Sequence, residues 1–152
     1  MLTTPVDAIA LFARSRPLKI AAKELVSGEC WTYAELDRAV AGLANYLLQR
    51  RCESGDRIAV LARNSVSQVM LHFACARTGL IYVPLNWRLS SAELAQLINQ
   101  ARPRLLLCDE MSAPLLTGRD DVESLSTFVA ASSAAPTTPL PQREFAWRLE
   151  SP

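Results

Sequence analysis

Side chains that could carry out covalent or metal chemistry are few in this 152-residue sequence and lie far apart. The only histidine is His72, and the cysteines are Cys30, Cys52, Cys75 and Cys108. No two cysteines have the two-residue spacing typical of zinc sites, so the sequence predicts no metal site. Cys75 lies in an apolar helical pattern and Cys108 ends an apolar run, so both are expected to be buried as small hydrophobic side chains.

His72 is the natural candidate for a general base, because imidazole titrates near neutral pH. It stands in the middle of a predicted helix beside Phe73, and no carboxylate partner is evident in the sequence. We therefore interpret it as a partly buried structural histidine, and we predict no catalytic residue in this chain.

The sequence also lacks the residues that a phosphate-binding loop needs. Such a loop requires clustered glycines followed by a lysine. The five glycines are dispersed over positions 28, 42, 55, 79 and 118, and the only lysines, Lys19 and Lys23, belong to the first predicted strand. No adenine, ribose or ATP-phosphate site is predicted.

The overall composition narrows the class of protein. Apolar residues make up 50% of the chain and charged residues 20%, which is typical of a globular fold. A net charge of +1 gives little reason to bind nucleic acid or an anionic membrane. Neither a signal peptide nor a run of roughly 18 apolar residues is present, so no membrane span is expected. Together with the unpaired cysteines, this predicts a reduced, cytoplasmic protein.

The first thirty residues predict a helix followed by a small hairpin. Residues 3–16 follow a helical pattern, with Pro5 suited to a first helical position. Residues 19–26 are predicted as a strand, 27–28 as a turn, and 29–32 as a short return strand.

Three later helix starts share one pattern, a hydroxyl residue followed three positions later by Glu or Gln, as in a capping box. The pairs are Thr32 with Glu35, Ser65 with Gln68, and Ser90 with Glu93. Asn64 before the second start is expected to form a turn. The first helix is predicted to run to about Arg51, and the third spans 92–101 before Pro103. The second is expected to end near Thr78 with Gly79 as its C′ residue. Its predicted apolar side consists of Val69, Met70, Phe73 and Ala76.

Short apolar runs separate these helices, at 57–62, 80–83 and 104–108. Their continuous apolarity is typical of strands covered on both faces. Alternation of strand and helix predicts an α/β fold, a parallel βαβ sheet with flanking helices plus the small N-terminal hairpin.

The signal weakens after Glu110. Residues 121–129 are predicted as a helix, whereas 130–141 are almost entirely Ala, Ser, Thr and Pro, a composition typical of a linker. We therefore divide the chain into an α/β lobe, residues 1–129, and a linker with the truncated start of the next segment, residues 130–152.

Two stretches resemble motifs of the adenylate-forming (AMP-binding) superfamily. Residues 31–36, Trp-Thr-Tyr-Ala-Glu-Leu, are similar to its opening motif, and residues 76–89 are similar to its second motif, with Gly79 closing a helix, then Tyr-Val-Pro and Asn-x-Arg-Leu. Gly55-Asp56 resembles the usual strand entry between them. Asn86 followed by Arg88 is more like the acid–CoA ligase branch than peptide-synthetase adenylation domains, which usually carry an Asp at this point.

The resemblance implies one lobe of a larger adenylate-forming domain. Such enzymes convert a carboxylic acid, ATP and CoA into acyl-CoA, AMP and pyrophosphate, with Mg²⁺. Their Ser/Thr/Gly-rich loop ending in Pro-Lys-Gly, their later acidic motifs and their C-terminal lysine have no counterpart here. We therefore expect an N-terminal fragment that binds no cofactor and forms no acyl-adenylate on its own.

The resemblance also implies one ligand contact. The Arg of Asn-x-Arg-Leu lies near the CoA entrance in such ligases, which assigns Arg88 as a CoA-binding residue. The alternative is a surface arginine paired with a carboxylate such as Glu93. Trp31 and Trp87 are expected to be packing or interface residues and not base-stacking platforms.

Two other functions stay open at this point. One is a stand-alone, non-catalytic interaction module, and the other is the start of a peptide-synthetase adenylation domain. For a ligase fragment, apolar faces intended for the rest of the domain would be bare, which predicts self-association as a homodimer.

Overall fold

The computed structural model describes residues 7–134, which form five helices, six strands and one 3₁₀ turn within that range. The helices are α1 (Ala8–Ser15), α2 (Tyr33–Gln49), α3 (Val66–Thr78), α4 (Ser91–Ala101) and α5 (Leu125–Ser132). The strands are β1 (Ile20–Lys23), β2 (Cys30–Thr32), β3 (Arg57–Leu61), β4 (Ile81–Leu85), β5 (Leu105–Cys108) and β6 (Val122–Ser124). The 3₁₀ turn is Ala113–Leu116.

Four strands form a parallel sheet in the order β4-β3-β5-β6. The chain runs from β3 outward to β4, and then crosses back past β3 to reach β5. Right-handed crossovers in these two opposite directions place the connecting helices on opposite faces of the sheet. The predicted α/β class with a parallel sheet is confirmed.

Alternate residues of β3 face two separate cores. Ile58 and Val60 belong to a large core that includes the buried residues of α2, α3 and α5, whereas Ala59 and Leu61 belong to a smaller core beneath α4. This is why β3 is a continuous apolar run. The prediction that each strand is covered on both faces is wrong for β4. This is an edge strand in which Leu85 alone is buried. Pro84 is tolerated within β4 because one side of an edge strand needs no N–H donors.

Side chains cap all three of these helix starts, and the predicted reciprocal capping box forms at two of them. Thr32 and Ser90 each accept the backbone N–H of the glutamate three residues later, and that glutamate bonds back to the cap residue. These bonds to Thr32 and Ser90 lower the pKa of Glu35 and of Glu93 respectively. Ser65 caps α3, but no reciprocal capping box forms there.

The structure of the N-terminal region differs from the prediction at the start of the first helix and agrees with the predicted hairpin. Asp7 is extended and accepts the N–H of Ala10, so it caps α1, which begins at Ala8. The predicted helical residues 3–6 lie outside the described residues. Strands β1 and β2 pair antiparallel, which confirms the hairpin, and Gly28 has a φ of 76° at its turn.

Two predictions in the second half of the lobe are wrong. Of the predicted apolar side of α3, Met70 is buried and Phe73 is half-buried, but Val69 and Ala76 are exposed. The residues of α3 that are buried are Val66, Met70, Leu71, Ala74, Cys75 and Thr78. Residues 121–129 begin as strand β6, and helix α5 starts only at Leu125. Helix α5 runs to Ser132, past the boundary drawn at 129, and residues 135–152 of the predicted linker lie outside the described residues.

Two arginines link distant elements. Arg77 on α3 bonds to Asp7 at the start of α1 and to Asp37 on α2, at 2.7 and 2.5 Å. Arg50 makes two bonds to the carboxylate of Glu123, at 2.9 and 2.6 Å, and joins the end of α2 to β6.

Candidate functional site

The carboxyl edge of the parallel sheet brings together the segments that follow three strands. In the register of the sheet, Leu61 pairs with both Leu85 and Cys108, so β3, β4 and β5 end side by side. The connections leave β3 and β5 in opposite directions, which makes their junction a topological switch point. Ligands of open α/β sheets bind in the crevice at such a point.

A tryptophan with two arginines occupies this edge. Trp87 follows β4, and the guanidinium carbons of Arg63 and Arg88 lie 4.9 and 4.2 Å from its ring centroid. Both arginines are exposed, whereas Trp87 is partly buried and packs against the smaller core. Guanidinium groups at this distance are attracted to the negative face of an indole.

Hydrogen bonds hold the backbone on both sides of this group. The N–H of Arg63 donates to Asp109 Oδ2 at 2.8 Å, and its carbonyl accepts from Gln68 Nε2 at 2.6 Å. The N–H of Arg88 donates to Asn86 Oδ1 at 3.0 Å, within a turn closed by the N–H of Leu89 to the carbonyl of Asn86.

Asp109 is a structural acceptor in this arrangement. Burial alone would raise its pKa, but hydrogen bonds from Ser112 and from the N–H of Arg63 outweigh it and leave the pKa lowered. Its two carboxylate oxygens accept these backbone N–H groups. An ionised carboxylate held this way fixes the loop after β3, and its lowered pKa makes it a weaker base than an ordinary carboxylate.

Arg88 does not pair with Glu93, the alternative partner considered from the sequence. Glu93 bonds to the N–H and hydroxyl of Ser90. Within residues 7–134, the ion pairs involve Arg50, Arg77 and Arg119, and neither Arg63 nor Arg88 takes part in one. The CoA-binding role of Arg88 stays a prediction.

His72 is exposed, so its interpretation as a partly buried histidine is wrong. It lies on the outer side of α3 and makes edge contacts with the rings of Phe73 and Tyr82. Tyr82 donates to Gln68 Oε1, and burial is the main reason that the pKa of Tyr82 rises to about 12. Trp31 is partly buried and packs against the large core, as expected of a packing residue.

All four cysteines carry free thiols. Cys75 and Cys108 are buried, as predicted, and burial raises the pKa of Cys75 to about 12, so its thiol is inert at neutral pH. Within residues 7–134 no cluster of three His, Cys, Asp or Glu side chains suits a metal ion. In the same range no helix is long and apolar enough to span a membrane.

A shallow cleft opens beside Asp109, between the 3₁₀ turn and β6. Arg119 lines it, but both oxygens of Asp121 accept bonds from that guanidinium, so its charge is neutralised. Arg63 and Arg88 are therefore the exposed arginines at this sheet edge that form no ion pair with another described residue, although Arg63 also attracts the nearby carboxylate of Asp109. Sequence reasoning found Arg88 and missed Arg63, although its place just after a predicted strand was a usable signal.

Comparison with known proteins agrees with this architecture. Residues 7–150 match the model of the AMP-binding enzyme family. The medium-chain fatty-acid–CoA ligase of Escherichia coli is 31% identical over 83% of this chain and 23% of its own length. The fatty acid–[acyl-carrier-protein] ligase ScoC of Streptomyces coeruleorubidus is 30% identical over 76% of this chain and 22% of its own length. A probable non-canonical nonribosomal peptide synthetase, CymA of Salinispora arenicola, is 30% identical over 86% of this chain and 2% of its length.

Among solved structures, the inhibitor-bound N-terminal domain of FACL13 from Mycobacterium tuberculosis superposes with a TM-score of 0.80. It is 23% identical, and the match covers 90% of this chain and 36% of that domain. The chain therefore has the fold of one part of that domain. It spans less than a quarter of the length of the curated relatives described above.

Proposed function

Because this chain belongs to the AMP-binding enzyme family, we propose that it is the N-terminal lobe of an AMP-forming acid–CoA ligase. The parent enzyme converts a carboxylic acid, ATP and CoA into acyl-CoA, AMP and pyrophosphate. We place it in the cytoplasm, in keeping with its four free thiols.

The observation that carries this proposal is the turn after β4, Asn86–Leu89. It presents Arg88 at the carboxyl edge of the sheet, exposed and without a carboxylate partner among residues 7–134. A planar guanidinium that stays charged suits a phosphate group. Its position at the carboxyl edge of the parallel sheet, in a relative of a fatty-acid–CoA ligase, supports CoA as the ligand.

The residues of this lobe do not fit the ATP phosphates or Mg²⁺. Lys19 precedes the hairpin and Lys23 ends β1, and the glycines are dispersed. In the parent enzyme Mg²⁺ would stabilise the charge that develops on the transferred phosphate. The groups that bind it must come from elsewhere in the parent protein, and the lobe by itself is proposed to be inactive.

A second candidate is a ligase that delivers its acyl group to a carrier protein. The similarity to ScoC and to CymA favours it, because the former is a fatty acid–[acyl-carrier-protein] ligase and the latter a probable nonribosomal peptide synthetase. The two candidates share the adenylation step and differ in the thiol acceptor, so the test must vary that acceptor.

A chimera can be made in which residues 7–134 of this chain replace the matching lobe of the Escherichia coli medium-chain ligase. This chimera should form acyl-CoA. Arg88→Ala in that chimera should raise the KM for CoA about tenfold, as expected for loss of a charge-assisted bond of about 1.4 kcal/mol, with little change in the KM for ATP. Steady-state kinetics with each substrate varied in turn gives both values.

Arg14→Ala is the matched control, since Arg14 is an exposed arginine on α1. It should leave both KM values unchanged. An unchanged KM for CoA in the Arg88 variant would refute the assignment of that residue. The 152-residue chain alone should give no ATP–pyrophosphate exchange, and detectable exchange would refute its proposed inactivity.

We also propose that the isolated chain self-associates through apolar side chains around the hairpin. Leu18, Leu25 and Val26 are 85%, 87% and 97% exposed. Sedimentation velocity should show a monomer–dimer equilibrium that shifts with concentration, because bare apolar surface drives association. Leu25→Lys should shift it to monomer, whereas Met111→Lys, a change at an exposed residue beyond β5, should not. A monomer at every concentration would contradict the proposal.

A further inference from the structure

We propose that the amino edge of the parallel sheet is a docking surface for an acidic segment of a partner protein. Its charged groups are Arg57, Arg102 and Arg104, named here the amino-edge arginines. This surface lies at the other end of the strands from the candidate site, and β3 separates the two edges by about 13 Å, at roughly 3.3 Å per residue. A partner can dock there without covering the candidate site, so the inference goes beyond the proposed ligase function and does not depend on it.

Backbone contacts bring the three arginines together. Arg57 is the first residue of β3, and its carbonyl accepts the N–H of Arg104, the residue before β5, at 2.8 Å. The Nε of Arg57 donates to the carbonyl of Ala101 at the end of α4. Arg102 follows as the C-cap residue of that helix. The starts of two neighbouring strands and the end of one helix therefore present three guanidinium groups on one sheet edge.

The amino-edge arginines have no acidic partner of their own. All three are exposed, and none belongs to the ion pairs formed within residues 7–134. Guanidinium groups bind carboxylates through two parallel N–H bonds. The surface is therefore suited to aspartate or glutamate side chains supplied by another molecule.

The backbone of Arg102 also points to a function of its side chain. Its φ is 44°, in the left-handed region that favours glycine, and within residues 7–134 Arg51 is the only other non-glycine residue with a positive φ. The carbonyl of Ala101 is already bound by Arg57, so Arg102 is not needed for that contact. A strained residue that is not needed locally is typical of a functional surface.

The pattern of charge favours a protein partner over a nucleic acid or a lipid surface. Glu53 and Asp56 lie just before Arg57 in the chain. Asp120 and Asp121 lie just before β6, the strand next to β5. These carboxylates would repel a uniformly negative surface, whereas a protein can place its own cations opposite them.

The uncharged neighbours of the arginines favour the same class of partner. Residues 50–57 and 101–105 contain no aromatic ring on which a base could stack. Ile81 pairs with Arg57 in the sheet register and is 46% exposed. An apolar side chain beside arginines is typical of protein–protein interfaces.

Fluorescence anisotropy of a labelled peptide of alternating glutamate and serine tests the surface on the 152-residue chain. The peptide should bind at low salt, and a peptide of alternating glutamine and serine should not. Arg102→Gly and Arg104→Gln should each weaken binding about two- to fivefold, as expected for an exposed ion pair, and together about tenfold. Arg14→Gln removes the same charge from α1 and should leave binding unchanged.

Urea unfolding separates this role from a structural one. Because glycine suits a positive φ, Arg102→Gly should unfold at the same or a higher urea concentration while its peptide binding falls. A loss of stability in this variant would overturn the assignment of Arg102 to the surface. In the chimera, Arg102→Gly and Arg104→Gln should leave the KM values for CoA and ATP unchanged, and a change in either value would contradict the separation of the two edges.

No binding of the glutamate peptide, or an equal loss in Arg14→Gln, would overturn the docking surface. Tighter binding of phosphatidylserine vesicles or of a single-stranded thymidine oligonucleotide, weakened by the same substitutions, would overturn its assignment to a protein partner. The ligase function is judged separately, by acyl-CoA formation in the chimera.

Discussion

Replacing Arg77 with methionine should lower the free energy of unfolding by about 2–4 kcal/mol. The side chain is 13% exposed and bonds to Asp7 Oδ2, Asp37 Oδ1 and the carbonyl of Asp37. It thereby joins three helices. Breaking a buried pair costs roughly 3–5 kcal/mol, because a charge is left buried without compensation. The lower figure allows for solvent access to the two carboxylates, which are about a third exposed. Urea unfolding followed by circular dichroism measures the change.

Arg38→Met is the matched control. Arg38 is an exposed residue of α2, one position after Asp37, and its Nε donates to the carbonyl of Ala34 within the same helix. This variant should change the free energy of unfolding by no more than about 0.5 kcal/mol. Equal losses in the two variants would show that the three-helix contact of Arg77 contributes nothing specific.

The effect of Arg77 should also depend on pH. Burial alone would raise the pKa of Asp7, but hydrogen bonds from Arg77 and from the N–H of Ala10 leave it below its ordinary value of 3.8. A carboxyl with a lowered folded pKa stabilises the protein above its unfolded pKa, and that stability is lost as the pH falls through the folded value. The difference between wild type and Arg77→Met should therefore be full near neutral pH and shrink below about pH 4.

Local signals were enough to predict most of the fold. A capping hydroxyl, a glycine with positive φ at a helix end and a short apolar run are each decided by neighbours in sequence, which is why Thr32, Gly79 and β3 were placed correctly. Ser65 shows the limit of such signals. The backbone N–H of Gln68 donates to Ser65, but the side chain of Gln68 donates to the carbonyls of Ala62 and Arg63 and accepts from the hydroxyl of Tyr82. Tyr82 lies next to Gln68 only because β3 pairs with β4.

The spacing of apolar residues did not predict the buried side of α3 correctly, because apolar residues occur on all sides of this helix. Val69, Met70, Phe73 and Ala76 make a plausible stripe in sequence, and Met70 is buried as predicted. The helix, however, turns Leu71 and not Val69 toward the core, so His72 points outward. Neither orientation is favoured by a strong amphipathic pattern, and packing against α2 and the sheet decides between them.

Only part of the candidate site could be predicted from the sequence, for a similar reason. Arg88 belongs to a continuous motif, whereas Arg63 meets Trp87, 24 residues later, only because β3 and β4 are parallel and end together. Register of this kind is set by the whole sheet, and no local pattern encodes it. Residues that lie just beyond the ends of predicted parallel strands should therefore be considered together when sites are sought in other α/β sequences.

Leu94→Ala should destabilise the lobe by about 2–5 kcal/mol, the cost of an emptied leucine site in a core. Leu94 and Ile98 are the only buried residues of α4, and Leu94 is 0% exposed. This helix covers the face of the sheet that holds the smaller core, where Leu85 and Trp87 also pack. The remaining anchor, Ile98, cannot compensate for the lost contacts of a whole side chain. Thermal and urea unfolding measure the loss.

Leu97→Ala provides the comparison on the same helix, because Leu97 is 40% exposed and should lose less than about 1 kcal/mol. The KM for CoA of both variants in the chimera then adds a functional readout. If the smaller core supports the turn that carries Arg88, then Leu94→Ala should raise this KM well below the melting temperature, and Leu97→Ala should not. An unchanged KM for CoA in Leu94→Ala would mean that the bonds of Asn86 to Arg88 and Leu89 position Arg88 without help from α4.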